Sequence, residues 1–338
     1  MHRVSRWSLV VGMPNMVTDS LSEVELLKHV AEFQWRQIGE TIGCPTQLLA
    51  NEAGDRLYAS VINFETNFSP SDISQFEEGD TIELTGTIRF YARQFVEGWI
   101  LLDKGPPVSE ETFRAIRSKQ DLDATSRPWI YMTNALVGRE DGNLRLKTYR
   151  PAGIEKLDVP QTSEKPTGIV EHEQALQAGL IDVGQFTPVN VTESTPFVYE
   201  ITPVNDLNGA GLLYFARYVA MMNYAERLLL LRRTRPPLSS QLTHFLRTES
   251  RRTYYFANAP ATDRVQIYCT PAFEIERAFD STDPLRTRFG SFVFRFELYR
   301  ESDGALMAIS MVRKALTIPN KIKSVQAEAR RFIRSLGA

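Results

Sequence analysis

The same strand–loop–helix grammar occurs twice in this chain, and that repetition constrains its fold more than any other feature. The first copy is SLVVGMPNMVTDSLSEVELLKHVAEFQWRQIG, residues 8–39; the second is PFVYEITPVNDLNGAGLLYFARYVAMMNYAERL, residues 196–228. Each runs as a short apolar strand, a loop rich in Pro, Asn, Asp or Gly, and then a helix. Setting Leu26-Leu27 against Leu212-Leu213 places Ser20 opposite Asp206 and Ser22 opposite Asn208. These are small polar residues of the kind that cap a helix N-terminus. The first helix keeps an apolar face at Val24, Leu27, Val30 (or Ala31) and Ile38, the second at Leu212, Phe215, Val219 and Met222. That is the spacing of a helix packed on one side.

A run of strands follows each helix. Alternation and β-branched or aromatic enrichment predict strands over Arg56–Phe64, Thr81–Tyr91, Gly98–Asp103 and Trp129–Val137. In the second copy they predict Thr253–Asn258, Val265–Thr270, Ser291–Tyr299 and Ala305–Ala315. The first copy carries an extra loop, GPPVSEETFRAIRSKQDLDATSRP, before its last strand, whereas the second closes through the tight turn ESDGA. Residues 1–148 therefore read as a first repeat and 196–338 as a second, ending in a helix spaced at Ile322, Val325, Ala329 and Ile333. Residues 149–195, rich in Pro, Gly, Glu and Thr, read as a linker with at most one short helix, VEHEQALQAG. A helix wrapped by antiparallel strands, given twice, is an α+β arrangement, and pairing the copies side by side heals the edge each would leave open.

Composition narrows the chemistry. A chain of 338 residues with 39 Lys plus Arg against 41 Asp plus Glu, net −2, lacks the cation excess of a sequence-independent nucleic-acid binder. Cys44 and Cys269 cannot build a disulfide framework or a four-thiolate zinc site. His2, His29, His172 and His244 belong to no HExxH pattern, and GxGxxG, GxxxxGK[ST] and GxSxG are all absent. Any enzyme here is expected to work without a metal or a nucleotide loop. The apolar run before Gly12 and Pro14 is shorter than a signal-peptide core. The stretch AERLLLLRR falls far below the ~20 residues of a membrane span. The expectation is a soluble cytoplasmic protein.

The string Asn205–Tyr214, NDLNGAGLLY, is similar to the DxNGHxNN…Y loop–helix junction of hotdog thioesterases, with Ala210 at their histidine position. Taken with GMPNM, the LYASV strand, the longer NDLNGAGLLYFARY junction and the chain length, the sequence more closely resembles a double-hotdog family of polyketide biosynthetic clusters. That family is typified by the leinamycin-pathway acyltransferase/decarboxylase. The resemblance covers most of the chain outside the linker. It implies a double hotdog, two tandem repeats in which an antiparallel sheet wraps a central helix. It also implies an acyl-CoA substrate such as methylmalonyl-CoA, decarboxylated and then passed as an acyl group to an acyl carrier protein. The acyl-bearing tyrosine of that family falls on Tyr58 in RLYAS, although Tyr91 and Tyr131 also lie on first-repeat strands.

Decarboxylation of a β-carboxyl thioester builds charge on the thioester oxygen, so the site needs oxyanion donors more than a base. The backbone of Asn208-Gly209-Ala210-Gly211 at a helix N-terminus suits that role, or else its glycines only permit the turn. Tyr58 is read as nucleophile, as proton donor or as a core ring. Asp206 and Asn208 either hold the thioester or cap the helix, and Asn15 is a weaker candidate in the first junction. His29 and His244 read as packing or surface residues. The clusters Arg232-Arg233-Arg235 and Arg247-Arg251-Arg252 either receive CoA phosphates and the acidic face of a carrier protein or form a solvated face. Glu23 and Glu25 stand where Gly209 and Gly211 do in the second copy, and carboxylates there cap the helix dipole themselves and repel an anionic acyl-CoA, so one working site is expected, built from the second junction and the strands carrying Tyr58. The alternatives are a hotdog thioesterase or dehydratase with Asp206 as base, and a non-catalytic carrier-binding module. A homodimer is a further expectation.

Overall fold

The computed structural model describes residues 4–17, 20–141, 145–178, 186–275 and 285–336. The first repeat comprises β1 (Ser5–Val10), α1 (Glu23–Ile42), β2 (Tyr58–Asn67), β3 (Thr81–Tyr91), β4 (Phe95–Lys104) and β5 (Trp129–Asp141). After α2 (Thr167–Ala178) the second repeat comprises β6 (Phe197–Glu200), α3 (Phe215–Arg232), β7 (Leu246–Tyr255), β8 (Arg264–Ile275), β9 (Arg286–Arg300) and β10 (Leu306–Pro319). The helix α4 (Lys323–Ser335) follows.

One twelve-stranded antiparallel sheet runs β1-β3-β4-β5-β2-β7-β10-β9-β8-β6, with Arg145–Thr148 added beside β5 and Thr187–Pro188 beside β8. Each half therefore has its first strand at the outer edge and its second at the centre. The halves join where β2 pairs β7, from Asn63↔Tyr254 to Asn67↔Ser250. A bulge precedes that joint in both copies, between Val61 and Asn63 against β5 and between Thr248 and Ser250 against β10. The fold is a double hotdog. The joint removes the open edge that one copy alone would present.

The two central helices share one apolar core. From α1 it takes Leu26, Leu27, Val30 and Phe33, and from α3 it takes Phe215, Val219, Met222 and Leu229. Each such side chain removed from water is worth roughly 1.5–3 kcal/mol. The extra first-repeat loop folds into short helices at Glu110–Ala115 and Lys119–Ala124, which pack Phe113, Ile116 and Leu122 on Trp99 and Trp129. Ile322 precedes α4, whose buried residues are Val325, Gln326, Ala329 and Phe332.

The helix starts differ between copies. Ser22 caps α1 as expected, its side chain accepting from Glu25 N, and Gly43 at φ 71° ends the helix. Asp206 and Asn208 do not cap α3. That helix begins at Phe215, with Tyr214 before it and no side-chain cap. Asp206 closes a separate turn, Pro203–Asp206, and the Asn208 Oδ1 accepts from Ala210 N at 2.9 Å and Leu212 N at 3.1 Å inside its own loop. Leu212 is accordingly a buried loop residue, not part of the helix.

Candidate functional site

Beyond Asn63, toward Tyr58, β2 is no longer registered against β7, and a cavity of about 1080 Å³ lies along that stretch. Both repeats and the intervening segment line it. α1 gives Gln34 and Trp35, β2 gives Tyr58 to Ile62, β5 gives Asn134, α2 gives His172 and Glu173, and the second junction gives Asn208, Gly209 and Ala210.

The start of α3 forms one wall, because Leu213, Tyr214 and Phe215 line the cavity as well. An uncapped helix N-terminus presents backbone N–H groups and partial positive charge, a favourable place for a developing oxyanion. Burial, together with the carboxylates of Glu32 and Glu25, pushes the Tyr214 phenol well up, so it stays protonated and can only donate or accept a hydrogen bond.

Three of the expected substrate-binding residues stand elsewhere. Asp206 is fully buried and is not a lining residue; its carboxylate accepts from Thr202 N at 2.7 Å, Arg217 Nε at 2.9 Å and the Tyr199 hydroxyl at 3.2 Å. So committed, it cannot act as a base on water. Gly211 is not a lining residue either, and its φ of 69° explains the glycine conformationally. Asn15 stays at the first junction, its Oδ1 accepting from Gly12 N at 3.1 Å and its Nδ2 3.5 Å from His29 Nε2.

Of the three first-repeat tyrosines, Tyr58 alone lines the cavity. Its half-buried ring lies against two guanidinium groups, Arg56 at 5.1 Å and Arg139 at 5.3 Å from the ring centre. Tyr131 is buried outside the cavity, donating to Glu97 Oε1 at 2.7 Å and accepting from Gly168 N at 2.9 Å. Burial and the Glu97 carboxylate push its phenol up. Tyr91 rests against Phe95.

His172 is the residue that sequence reading passed over. Its Nε2 lies 2.8 Å from the Tyr255 carbonyl oxygen, and its ring packs 4.8 Å from that of Phe256. A carbonyl only accepts, so Nε2 carries the proton and Nδ1 keeps the basic lone pair. Burial lowers the ring's pKa, against the raising effects of the Tyr255 carbonyl and Glu173, so the imidazole is neutral near pH 7. The signal lay in VEHEQALQAG, where His172 shares a helix face with Ile169 and Leu176, both lining the cavity. His29 and His244 do not line it.

The second basic cluster turns inward, as does Arg233 of the first, whereas Arg232 and Arg235 are exposed. Arg251, buried, pairs with Glu23 at 2.7 Å, and Arg252 pairs with Glu65 at 2.8 Å. Arg247 donates to the His244 carbonyl, and Arg233 lies 3.9 Å from the Phe197 ring centre. Among the described residues no three His, Cys, Asp or Glu side chains group as metal ligands, and no helix is long and apolar enough to cross a membrane.

No known protein-family pattern matches the chain, and no curated protein matches it in sequence. Solved structures do match in shape. An acyl-ACP thioesterase from Bacteroides thetaiotaomicron superposes with a TM-score of 0.51 at 11% identity, covering 92% of this chain and 97% of its own. A Lactobacillus plantarum protein described as an oleoyl thioesterase gives 0.58 at 8% identity, covering 94% and 98%. The 12:0-ACP thioesterase of Umbellularia californica gives 0.54 at 12% identity, covering 94% of each chain. At such identities the likeness establishes the double-hotdog fold.

Proposed function

We propose that this protein is an acyl-thioester hydrolase, acting on an acyl group delivered by coenzyme A or an acyl carrier protein. The observation that carries the reading is that His172, with a basic Nδ1, and the uncapped start of α3 line the same cavity. The thioesterase names of the structural neighbours favour hydrolysis over the decarboxylating transfer implied by the resemblance.

In this reading the thioester carbonyl lies toward the Gly209 N–H and the head of α3, the other N–H groups of the turn being spent inside the loop. His172 Nδ1 takes a proton from water as its oxygen bonds to the carbonyl carbon. The tetrahedral intermediate then collapses, the carbon–sulfur bond breaks, and the imidazolium returns the proton to the departing thiolate. Acid and thiol are the products. No metal or cofactor is required. General-base catalysis by a positioned histidine is worth about 10²–10⁴ in rate, so His172→Gln should lower kcat by at least about a hundredfold.

One observation favours a second reading. Tyr58 and Arg56, a cation suited to a β-carboxylate, line the same cavity, and the motif's histidine is Ala210 here. Decarboxylating transfer to a carrier protein, with Tyr58 as the acyl-bearing residue, is therefore the competing activity. Mass analysis after incubation with saturated acyl-CoAs, methylmalonyl-CoA and a carrier protein separates the two. Free acid supports hydrolysis; a decarboxylated acyl group on the carrier supports transfer and overturns our first reading.

A further inference from the structure

The extra loop of the first repeat, which the second repeat replaces with a tight turn, delivers one cation to the helix that carries His172. Lys119 opens the short helix Lys119–Ala124, and only 14% of its side chain is exposed. Its Nζ donates to Glu65 Oε2 on β2 at 2.7 Å and to Glu171 Oε2 on α2 at 2.7 Å, and it lies 4.7 Å from the centre of the Tyr131 ring on β5. Arg252 of β7 holds the other Glu65 oxygen at 2.8 Å. The contacts of α2 then run in step with β7. Glu171 Oε2 accepts from the Tyr254 hydroxyl at 3.2 Å, and the next residue, His172, donates from Nε2 to the Tyr255 carbonyl at 2.8 Å. Gly168, Glu171 and Ala175 share one face of α2 and do not line the cavity, whereas Ile169, His172 and Leu176 share the neighbouring face and do.

Resting on the hydrolase reading, we infer that Lys119 is a positioning residue: by clamping Glu171 it fixes the seat of α2, and so the place of His172 Nδ1 at the cavity. Lys119 itself does not line the cavity and takes no part in the chemical step. Without its ammonium the carboxylates of Glu65 and Glu171, which share that one cation, face each other uncompensated in a mostly buried place, and like charges there repel. Glu65 stays tied to Arg252 within the sheet, so α2 is the element that yields. A small displacement of a catalytic base costs rate more than binding.

The test measures steady-state hydrolysis of an acyl-CoA by the intact protein and, separately from turnover, the titration of the His172 ring protons by NMR, the resonance being identified by its absence from His172→Gln. Lys119→Met should lower kcat by about tenfold or more with KM little changed. It should also raise the His172 pKa from its lowered native value toward the reference of 6.5, as the ring leaves its buried seat. Of the charged groups on and around α2, Glu65, Lys119, Arg252 and Glu171 belong to the clamp, and Glu173 is the one whose charge acts on the ring. Lys119→Met combined with Glu171→Gln removes the repulsion and should be faster than Lys119→Met alone; a merely loosened fold would not be repaired by losing a second charge. Where Lys119→Met fails to fold, Glu171→Ala carries the same test, because it frees α2 while leaving Lys119 paired with Glu65. A folded variant with native kcat and a native His172 titration, or a double variant no faster than the single, overturns this inference and leaves the hydrolase reading standing. Release of no free acid by the native protein overturns the hydrolase reading itself, and this inference with it.

Discussion

Arg251 and Glu23, one from each repeat, form a buried two-pronged ion pair, Nε to Oε1 at 2.7 Å and Nη2 to Oε2 at 3.0 Å. Glu23 opens α1 where Gly209 precedes α3 in the other copy. The Thr248 hydroxyl completes the carboxylate at 3.1 Å. The two junctions have thus diverged: beside α3 there is a cavity, and beside α1 there is a sealed pair. The sequence expectation had Glu23 repelling an anionic substrate through its own charge. Instead Arg251 neutralises it.

Breaking that pair should be expensive. Burial works to raise the Glu23 carboxyl, but Arg251, with Lys314 and Thr248, outweighs it and holds the pKa below the usual value of 4.5. Glu23→Ala strands a buried guanidinium and should cost about 3–5 kcal/mol in denaturant unfolding, while Glu23→Leu combined with Arg251→Met should recover most of it. A carboxyl depressed in the folded state stabilises above its unfolded pKa and loses that contribution as pH falls through the folded one. The wild type should therefore lose stability below about pH 4.5, more steeply than the double variant. Parallel pH profiles would contradict this.

The glycines of the second junction should separate cleanly. A Cβ at Gly209 meets nothing within 4 Å, and Gly209 lines the cavity. Gly209→Val should fold normally and raise KM by about tenfold through bulk beside the N–H donors. Gly211 holds φ 69°, so Gly211→Val should cost about 1–3 kcal/mol of stability as a backbone effect. A Gly211→Val protein as stable as wild type would show the turn to be more adaptable than its geometry implies.

Gly168 anchors the helix that carries His172. A Cβ there would stand 2.4 Å from both Asn63 Oδ1 and Thr133 Oγ1. Gly168→Ala should displace α2 and reduce kcat by about tenfold or more while KM moves little, because His172 is misplaced relative to its water. Unchanged kcat would detach His172 from the chemistry.

Much of this was legible in advance. Helix and strand periodicity located both repeats, and β3 is Thr81–Tyr91 as alternation alone predicts. The start of β7 was not legible, since Leu246–Tyr255 carries Arg247, Arg251 and Arg252, and three arginines disguise a strand when their counter-charges are remote in sequence. Glu23 lies 228 positions from Arg251. Polar residues before an apolar run read as caps at both junctions, correctly for Ser22 and wrongly for Asp206 and Asn208, which spend their side chains on loop closure instead. His172 was missed because a segment with linker composition gave no reason to place it against β2 and β7. Tyr58, Asn208, Gly209 and Ala210 do line one cavity; what they do there is the subject of the proposal.

Tyr58→Phe removes one hydroxyl from a half-buried ring whose other contacts are Arg56 and Arg139. Folding should be unchanged and hydrolysis should stay within about tenfold of wild type, since His172 supplies the base. An acyl adduct on the native protein, absent from the Phe variant, would move the assignment to acyl transfer.

Single-turnover hydrolysis of an acyl-CoA in water enriched in heavy oxygen, followed across pH for the native protein and His172→Gln, decides whether His172 is the base. The expected product is free acid carrying one heavy oxygen, with the native rate constant falling on the acid side at an apparent pKa below the histidine reference of 6.5, because burial lowers the His172 pKa. In His172→Gln that acid limb should vanish and the rate should drop at least about a hundredfold. A variant as fast as the native protein, or an acyl group that appears on carrier or protein with no labelled acid, would contradict it.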